Sequence, residues 1–459
     1  MPGLALKSEP RLAGWQHELG EASRQPGTLH GIVSGVFLPE FEHSLTSACT
    51  GHYPSANVMA RTKDTAAPAL PVLDLSAAED PDRRSRLLEQ LHDALFNVGF
   101  LYISNHGVPQ ETINHLTGLM PALFALPDGE KGKLSKMNSP HFLGYSGYAK
   151  ETTLGQQDLR EQFDLATELP VVYESPNDVN GGSGSSSDGR DFSKLYWRLR
   201  GPNQWPEVPG FKEAFIAYHD ALQELSYRFV HLIEEAFAIP VGTFDHFFGR
   251  QQHQGPPRED SVTNGKPRDF LPPQHRIKLL RYPPASMSAD DPWRGQGVGA
   301  HKDSSGWLTF LYQVGNEIGL SVLNTDDEGQ RWINVPPVPG TFVVNFGNAF
   351  EAATEGAVRA TTHRVISPGP FNKVRYSIPF FQGLPLDMTV SEIRQYIPEH
   401  VRSLRRIRGD DYDDGGVAAS FLDPRWDSLG ESQLRKWIRS HKDVGLEWYG
   451  KEVVDYYTS

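Results

Sequence analysis

Apolar positions along this 459-residue chain follow a helical period in some stretches and a strand period in others. Phe211, Phe215, Tyr218, Leu222, Leu225, Phe229 and Leu232 recur at spacings of four and three, which lines them up on one face of a helix. The aromatic content of that face predicts a scaffold helix packed on the core rather than a partner-binding surface. The stretch His275-Arg276-Ile277-Lys278-Leu279-Leu280-Arg281-Tyr282 predicts a strand, and short apolar runs follow it. Leu308 to Val314, Gly319 to Leu323, Trp332 to Val335 and Thr341 to Phe346 are strand-sized and separated by Gly, Asn, Asp or Pro, the punctuation of a jelly roll. The last thirty residues return to a helical spacing and predict a helix over the mouth of that core.

These elements divide the chain into a flexible leader at 1–69, an α/β and helical support region at 70–270, a jelly-roll core at 271–400 and a helical extension at 401–459. The expected fold class is α+β, a double-stranded β-helix with flanking helices. Residues 1–69 mix Gly, Pro, Ser, Thr and His without sustained periodicity. Asn180 to Gly189 is a low-complexity stretch that predicts a mobile loop, with no strand-to-helix glycine signature around it to cradle a phosphate. Gly409 to Gly416 is acidic and predicts a solvated loop, because the glutamate that closes an EF-hand is missing at its place.

The strand region carries the candidate chemistry. His301 and Asp303 are two residues apart, and a strand would direct both side chains to one face. With His363 they make a set of two imidazoles and one carboxylate, which leaves coordination positions open and suits ferrous iron. Downstream, Arg375 and Ser377 are again two apart on an apolar, aromatic stretch that ends in Phe380 and Phe381. A guanidinium fork grips a carboxylate through two parallel hydrogen bonds and a neighbouring hydroxyl adds a third, so a dicarboxylate such as 2-oxoglutarate fits the pair.

With these landmarks in place, the chain resembles the iron(II)- and 2-oxoglutarate-dependent dioxygenases, in the branch related to isopenicillin N synthase. The resemblance runs in order through Pro71 to Leu75, Gly99 to Gly107, Arg281-Tyr282-Pro283-Pro284, the His301 motif, Gly340 to Gly347 and Thr362 to Val365, and covers roughly residues 71 to 400. It implies that His301, Asp303 and His363 bind Fe(2+), and that Arg375, Ser377 and Tyr282 bind 2-oxoglutarate, with O2 as the second co-substrate. Many plant relatives carry an asparagine two residues before the tyrosine, where this chain has Leu280. The implied reaction is oxidation of a small metabolite by hydroxylation, desaturation or ring closure, with succinate and carbon dioxide released. Fungal-type secondary metabolism and nucleobase oxidation are the implied settings. Three alternatives stand beside it: an isopenicillin N synthase-like oxidase that uses no 2-oxoglutarate, a catalytically silent jelly-roll binding protein, and a zinc hydrolase. Phe381, Trp307 and Tyr312 are candidate pocket-lining residues, each equally explained by core packing.

Other histidines are expected to be structural. His441-Lys442-Asp443 repeats the letters of the first motif, but its helical surroundings would splay the two side chains, and a helix surface is expected there. His106 ends an apolar strand at a turn, and His219, His231 and His246 belong in or beside helices as packed or surface residues.

A hydrophobic fraction of 38% supports a large core, and the net charge of −13 argues against a general nucleic-acid binder. Cys49 is the only cysteine, which excludes an intrachain disulfide and a multi-cysteine zinc site and fits a cytoplasmic protein. Neither a membrane-spanning apolar run nor a secretory signal is evident. The family resemblance implies a small-molecule substrate as the partner.

Overall fold

A computed structural model of the chain describes residues 70–459 apart from 154, 176–189, 250–261, 264–265, 268–269, 285–294, 305, 327–328, 370–372 and 405–426. The 1–69 leader, the stretch from Asn180 to Gly189 and the acidic stretch from Gly409 to Gly416 lie outside the described residues. Strands of three or more residues are β1 (Val72–Asp74), β2 (Phe100–Ser104), β3 (Gly144–Ser146), β4 (Glu161–Ala166), β5 (Arg276–Tyr282), β6 (Gln296–His301), β7 (Leu308–Val314), β8 (Leu320–Asp326), β9 (Gly329–Asn334), β10 (Thr341–Phe346), β11 (His363–Ile366) and β12 (Arg375–Phe381). They form an eight-stranded sheet in the order β1-β2-β10-β7-β12-β5-β4-β3 and a four-stranded sheet in the order β6-β11-β8-β9. Pairing is antiparallel except between β1 and β2.

The large sheet is apolar on one face and mixed on the other, and the period of two along each strand separates the faces. Ile277 and Leu279 of β5, Leu308 and Phe310 of β7, and Ile378 and Phe380 of β12 belong to a buried cluster shared with several helices, three of them of fifteen residues or more. These are α1 (Pro81–Asn97), α2 (Gln110–Phe124) and α3 (Phe211–Ala236). The alternate residues face the small sheet. There Phe100, Tyr102, Leu280 and Tyr282 pack with Val298, Leu320, Val322 and Val365 in a second cluster. The result is an α+β jelly roll whose two sheets enclose a cavity and whose larger sheet is backed by helices.

Helix α3 carries the expected aromatic stripe on its buried side, with Phe211, Phe215, Tyr218, Leu222, Leu225 and Phe229 all at 1% exposure or less. Burial of each such side chain is worth roughly 1.5–3 kcal/mol, and truncating Phe229 to alanine would cost about 3–5 kcal/mol through the cavity it leaves.

The C-terminal region departs from a single helix. It contains α4 (Leu429–Ser440), α5 (Lys442–Tyr449) and α6 (Lys451–Thr458). His441 interrupts the first junction with φ −138° and ψ 70°, and Gly450 the second with φ +83°, a left-handed value that glycine reaches without steric cost. The expectation that His441 sits on a helix surface is overturned, since it is 3% exposed and within 3.1 Å of the Lys136 ammonium. Its place at a junction lets the ring turn inward, which spacing on one continuous helix does not represent.

His106 is buried against Phe342, while His219 contacts Thr167 and Asp220, His231 pairs with Asp245, and His246 packs on Phe247 and Tyr396. No helix among the described residues is long and apolar enough to cross a membrane.

Candidate functional site

His301 and His363 stand directly opposite each other where β6 pairs with β11. Register shifts interrupt this pair between Gln296 and Val298 and again between Val298 and His301, an irregularity that re-aims side chains at the strand end. The two imidazole centroids are 4.3 Å apart. Asp303 lies two residues past the end of β6, so alternation within one strand does not place it beside His301 as the sequence had suggested. It is held instead by the large sheet: Thr309 Oγ1 and Asn345 Nδ2 donate to its Oδ2 at 2.7 and 2.6 Å. Its other oxygen, Oδ1, is 3.9 Å from His301 Nε2 and 3.7 Å from His363 Nε2.

The hydrogen bonds also select the tautomers. His301 Nδ1 lies 2.8 Å from the Gly299 carbonyl and His363 Nδ1 lies 3.0 Å from the Thr361 carbonyl. A carbonyl only accepts, so each Nδ1 carries the proton and each Nε2 turns a lone pair toward Asp303. Burial, with the neighbouring His363, pushes His301 down to about 3 and keeps it neutral. Its partial exposure is to the cavity it borders. Asp303 is held below its ordinary value: burial opposes its charge, but the two histidines and the Thr309 and Asn345 bonds outweigh that cost. All three ligand atoms lie within 4.8 Å of one another. Among the described residues no other group of His, Cys, Asp or Glu meets that spacing.

The same cavity, of about 670 Å³, reaches Arg375, Ser377 and Tyr282. Here alternation along a strand does operate, since Arg375, Ser377 and Phe381 of β12 all border it. Arg375 is 1% exposed, and no carboxylate among the described residues forms an ion pair with it. Its Nη2 donates to Gln313 Oε1 at 3.0 Å, its Nη1 lies 3.5 Å from Ser377 Oγ, and its Nε has no partner. The Tyr282 ring lies 5.0 Å away, on the residue of β5 paired with Arg375. Burial pushes the guanidinium below its ordinary value. A buried guanidinium in this state is short of an anion.

Leu280 pairs with Ser377 and borders the cavity with no polar atom. Arg160 supplies polarity nearby, with Nη1 3.4 Å from the Tyr282 hydroxyl and Nη2 bound to Glu151 and Asp158 at 2.7 and 3.2 Å. Burial opposes its charge, but Glu151, Tyr282 and Asp158 hold it well above its ordinary value.

Phe381 borders the cavity, whereas Trp307 does not: it is fully buried, 4.1 Å from the Phe350 ring. Tyr312 packs against Phe342 on the helix-backed face. Thr309, Gln313, Asn345 and Arg160 went unnoticed in the sequence. Asn345 and Thr309 did lie in runs recognised as strands, but strand pairing alone brings them to Asp303.

Comparison with known proteins follows the same lines. Residues 70–208 match the family described as the N-terminal region of non-haem dioxygenases in morphine synthesis, and residues 274–383 match the 2OG-Fe(II) oxygenase superfamily. The chain is 37% identical over 385 residues to the 2-oxoglutarate-dependent dioxygenase frbJ of Dothideomycetidae sp., covering 83% of this chain and 92% of that protein. It is 30% identical over 397 residues to a 2-oxoglutarate-dependent dioxygenase of Gibberella zeae, covering 83% and 91%. Its fold is similar to that of a full-length Neurospora crassa protein crystallised with alpha-KG and thymine, with a TM-score of 0.51 and 20% identity over 70% of this chain and 87% of that one.

Proposed function

The chain belongs to the 2OG-Fe(II) oxygenase superfamily, and we propose that within it His301, Asp303 and His363 hold iron(II) while Arg375, Ser377 and Tyr282 receive the distal carboxylate of 2-oxoglutarate. It is a 2-oxoglutarate-dependent oxygenase, and the readings as an oxidase without 2-oxoglutarate, a silent binding protein or a zinc hydrolase give way to that one. Iron(II), 2-oxoglutarate and dioxygen together supply the oxidising chemistry, with succinate and carbon dioxide released.

The observation that carries the site assignment is the buried Arg375, which has no carboxylate partner among the described residues and lies in the cavity bordered by the two histidines and Asp303. Two neutral imidazoles and one carboxylate form a donor set suited to iron(II) with positions left open. Thr309 and Asn345 orient the carboxylate, the Gly299 and Thr361 carbonyls orient the imidazoles, and Gln313 and Ser377 orient the guanidinium. The apolar walls from Phe100, Leu311 and Val298 keep bulk water from the reacting atoms. The volume suits a small organic substrate. On this reading residues 271–400 are the catalytic core, 70–270 support it, and 401–459 are an extension whose helix α4 contributes a wall of the cavity.

Anaerobic addition of ferrous iron and 2-oxoglutarate tests the assignment. A visible metal-to-ligand charge-transfer band is expected in wild type, weakened in Arg375→Ala and absent in His363→Ala. An unchanged band in Arg375→Ala would overturn the clamp, and no band despite bound iron would overturn the site.

A further inference from the structure

We propose that the end of the cavity away from Arg375 is a second anion-binding pole, formed by Arg276 and Lys436 beside the Trp437 ring, which holds a carboxylate of the small molecule being oxidised. The proposal rests on the cavity assignment given above and adds the chemical class of its substrate.

Strand β5 supplies the geometry. Arg276, Lys278, Leu280 and Tyr282 alternate along it and all border the cavity. Tyr282 pairs with Arg375 at one end, and Arg276 pairs with Phe381 at the other. Six residues at about 3.3 Å each put the two ends of the strand roughly 20 Å apart. Thr309, which holds Asp303, also pairs with Phe381, so the metal-ligand set is nearer the Arg276 end. A molecule bound at that end would lie on the side of the metal opposite the 2-oxoglutarate clamp.

Charge at this end is unbalanced. Among the described residues, Lys136, Lys278, Arg276 and Lys436 gather here around the carboxylates of Glu151 and Asp164, and Glu151 is shared with Arg160, which reaches it from the Tyr282 end together with Asp158. The carboxylates are already taken. Glu151 accepts from Arg160 at 2.7 Å and from Lys278 at 2.9 Å, with His441 Nε2 at 3.5 Å. Asp158 binds Arg160, and Asp164 binds Lys136 at 2.5 Å with Lys278 at 3.7 Å. That leaves Arg276 and Lys436. Arg276 is 7% exposed; its Nη2 donates to the carbonyls of His141 and Leu199, while its Nη1 is buried without a hydrogen-bond partner. Lys436 projects from α4 with its Nζ 3.5 Å from the centroid of the Trp437 ring, and among the described residues it forms no ion pair. The Arg276 guanidinium carbon lies 4.5 Å from the same centroid.

Burial pushes Arg276 down to about 10, and burial with the neighbouring Lys278 pushes Lys436 down to about 7. Both directions are those of cations short of a counter-charge. Arg276 Nη1 and the Lys436 ammonium each offer a carboxylate a charge-assisted bond. A cationic ligand finds no unpaired carboxylate there among the described residues.

Trifluoroacetate, followed by 19F NMR, is a suitable carboxylate probe in the full-length protein loaded anaerobically with ferrous iron and excess 2-oxoglutarate to occupy Arg375. Saturable binding is expected, about ten-fold weaker in Lys436→Gln, as loss of one charge-assisted bond predicts. Arg276→Lys, which keeps the charge but not the fork, should also weaken it and guards against an Arg276 truncation that fails to fold. Equal affinity in wild type and both variants would overturn the pole, as would preferential binding of tetramethylammonium. Tighter binding of inorganic phosphate than of trifluoroacetate would overturn the carboxylate assignment. The charge-transfer band in the same samples separates the two readings: no band in wild type overturns the cavity assignment, whereas a band without probe binding overturns the pole alone.

Discussion

Asn345 donates its side-chain amide to Asp303 at 2.6 Å, on the carboxylate oxygen that faces away from the two imidazoles. The bond crosses from the eight-stranded sheet to the loop after β6 and leaves Oδ1 as the free donor atom. Asn345→Leu is expected to lower ferrous iron affinity by about 10–100-fold, the usual cost of losing a partner that orients a ligand. A metal titration alongside a thermal melt checks this. Equal affinity would mean that Thr309 alone orients Asp303.

Gln313 plays the corresponding part for Arg375. Gln313→Leu removes the only acceptor for Arg375 Nη2 among the described residues. A hydrogen bond to a charged group is worth about 1.5–3 kcal/mol, so the KM for 2-oxoglutarate should rise roughly ten-fold or more while iron affinity holds. Steady-state kinetics and a metal titration on the same variant separate the two effects.

Gly319 approaches Arg375 so closely that a side chain would collide with it. A Cβ there would lie 2.7 Å from the Ile366 carbonyl oxygen and 3.0 Å from Arg375 Cδ. Gly319→Ala is expected to destabilise the fold by about 1–3 kcal/mol and to weaken 2-oxoglutarate binding through the displaced guanidinium. Urea unfolding and titration of the charge-transfer band measure each part, and an unchanged band would show that Ile366 yields instead of Arg375.

His275 predicts how stability depends on pH. It is fully buried; the Gly383 amide donates to its Nδ1 at 3.0 Å, so Nε2 carries the proton and faces the Tyr227 hydroxyl at 2.9 Å. Burial pushes it from 6.5 down to about 3. Above pH 6.5 the ring is neutral in both folded and unfolded chains. Between about 6.5 and about 3 only the unfolded chain takes up the proton, so stability falls as the pH falls through that window. The slope from this residue is roughly 1.4 kcal/mol per pH unit. Urea unfolding at pH 7.5 and pH 5 should show a smaller difference in His275→Gln than in wild type, and equal differences would remove His275 as the source.

Much of the helix and strand content was legible in the spacing of apolar residues, because periodicity is a local property of the chain. The α3 stripe and the limits of β7 and β10 were readable from spacing alone. His301, Asp303, His363, Arg375, Ser377 and Tyr282 were also picked out as a group, by residue type and family order, and the structure brings them to one cavity. Tertiary structure decided what holds them. Strand register takes Asn345 and Thr309 to Asp303, and the pairing of β7 with β12 takes Gln313 to Arg375. The helix junction at His441 turned a residue expected on the surface into a buried one. The folding back of α4 brought Lys436 and Trp437 to a cavity built more than 130 residues earlier, around His301. Contacts of this kind join segments far apart in the chain, and nothing in the local spacing of either partner records them.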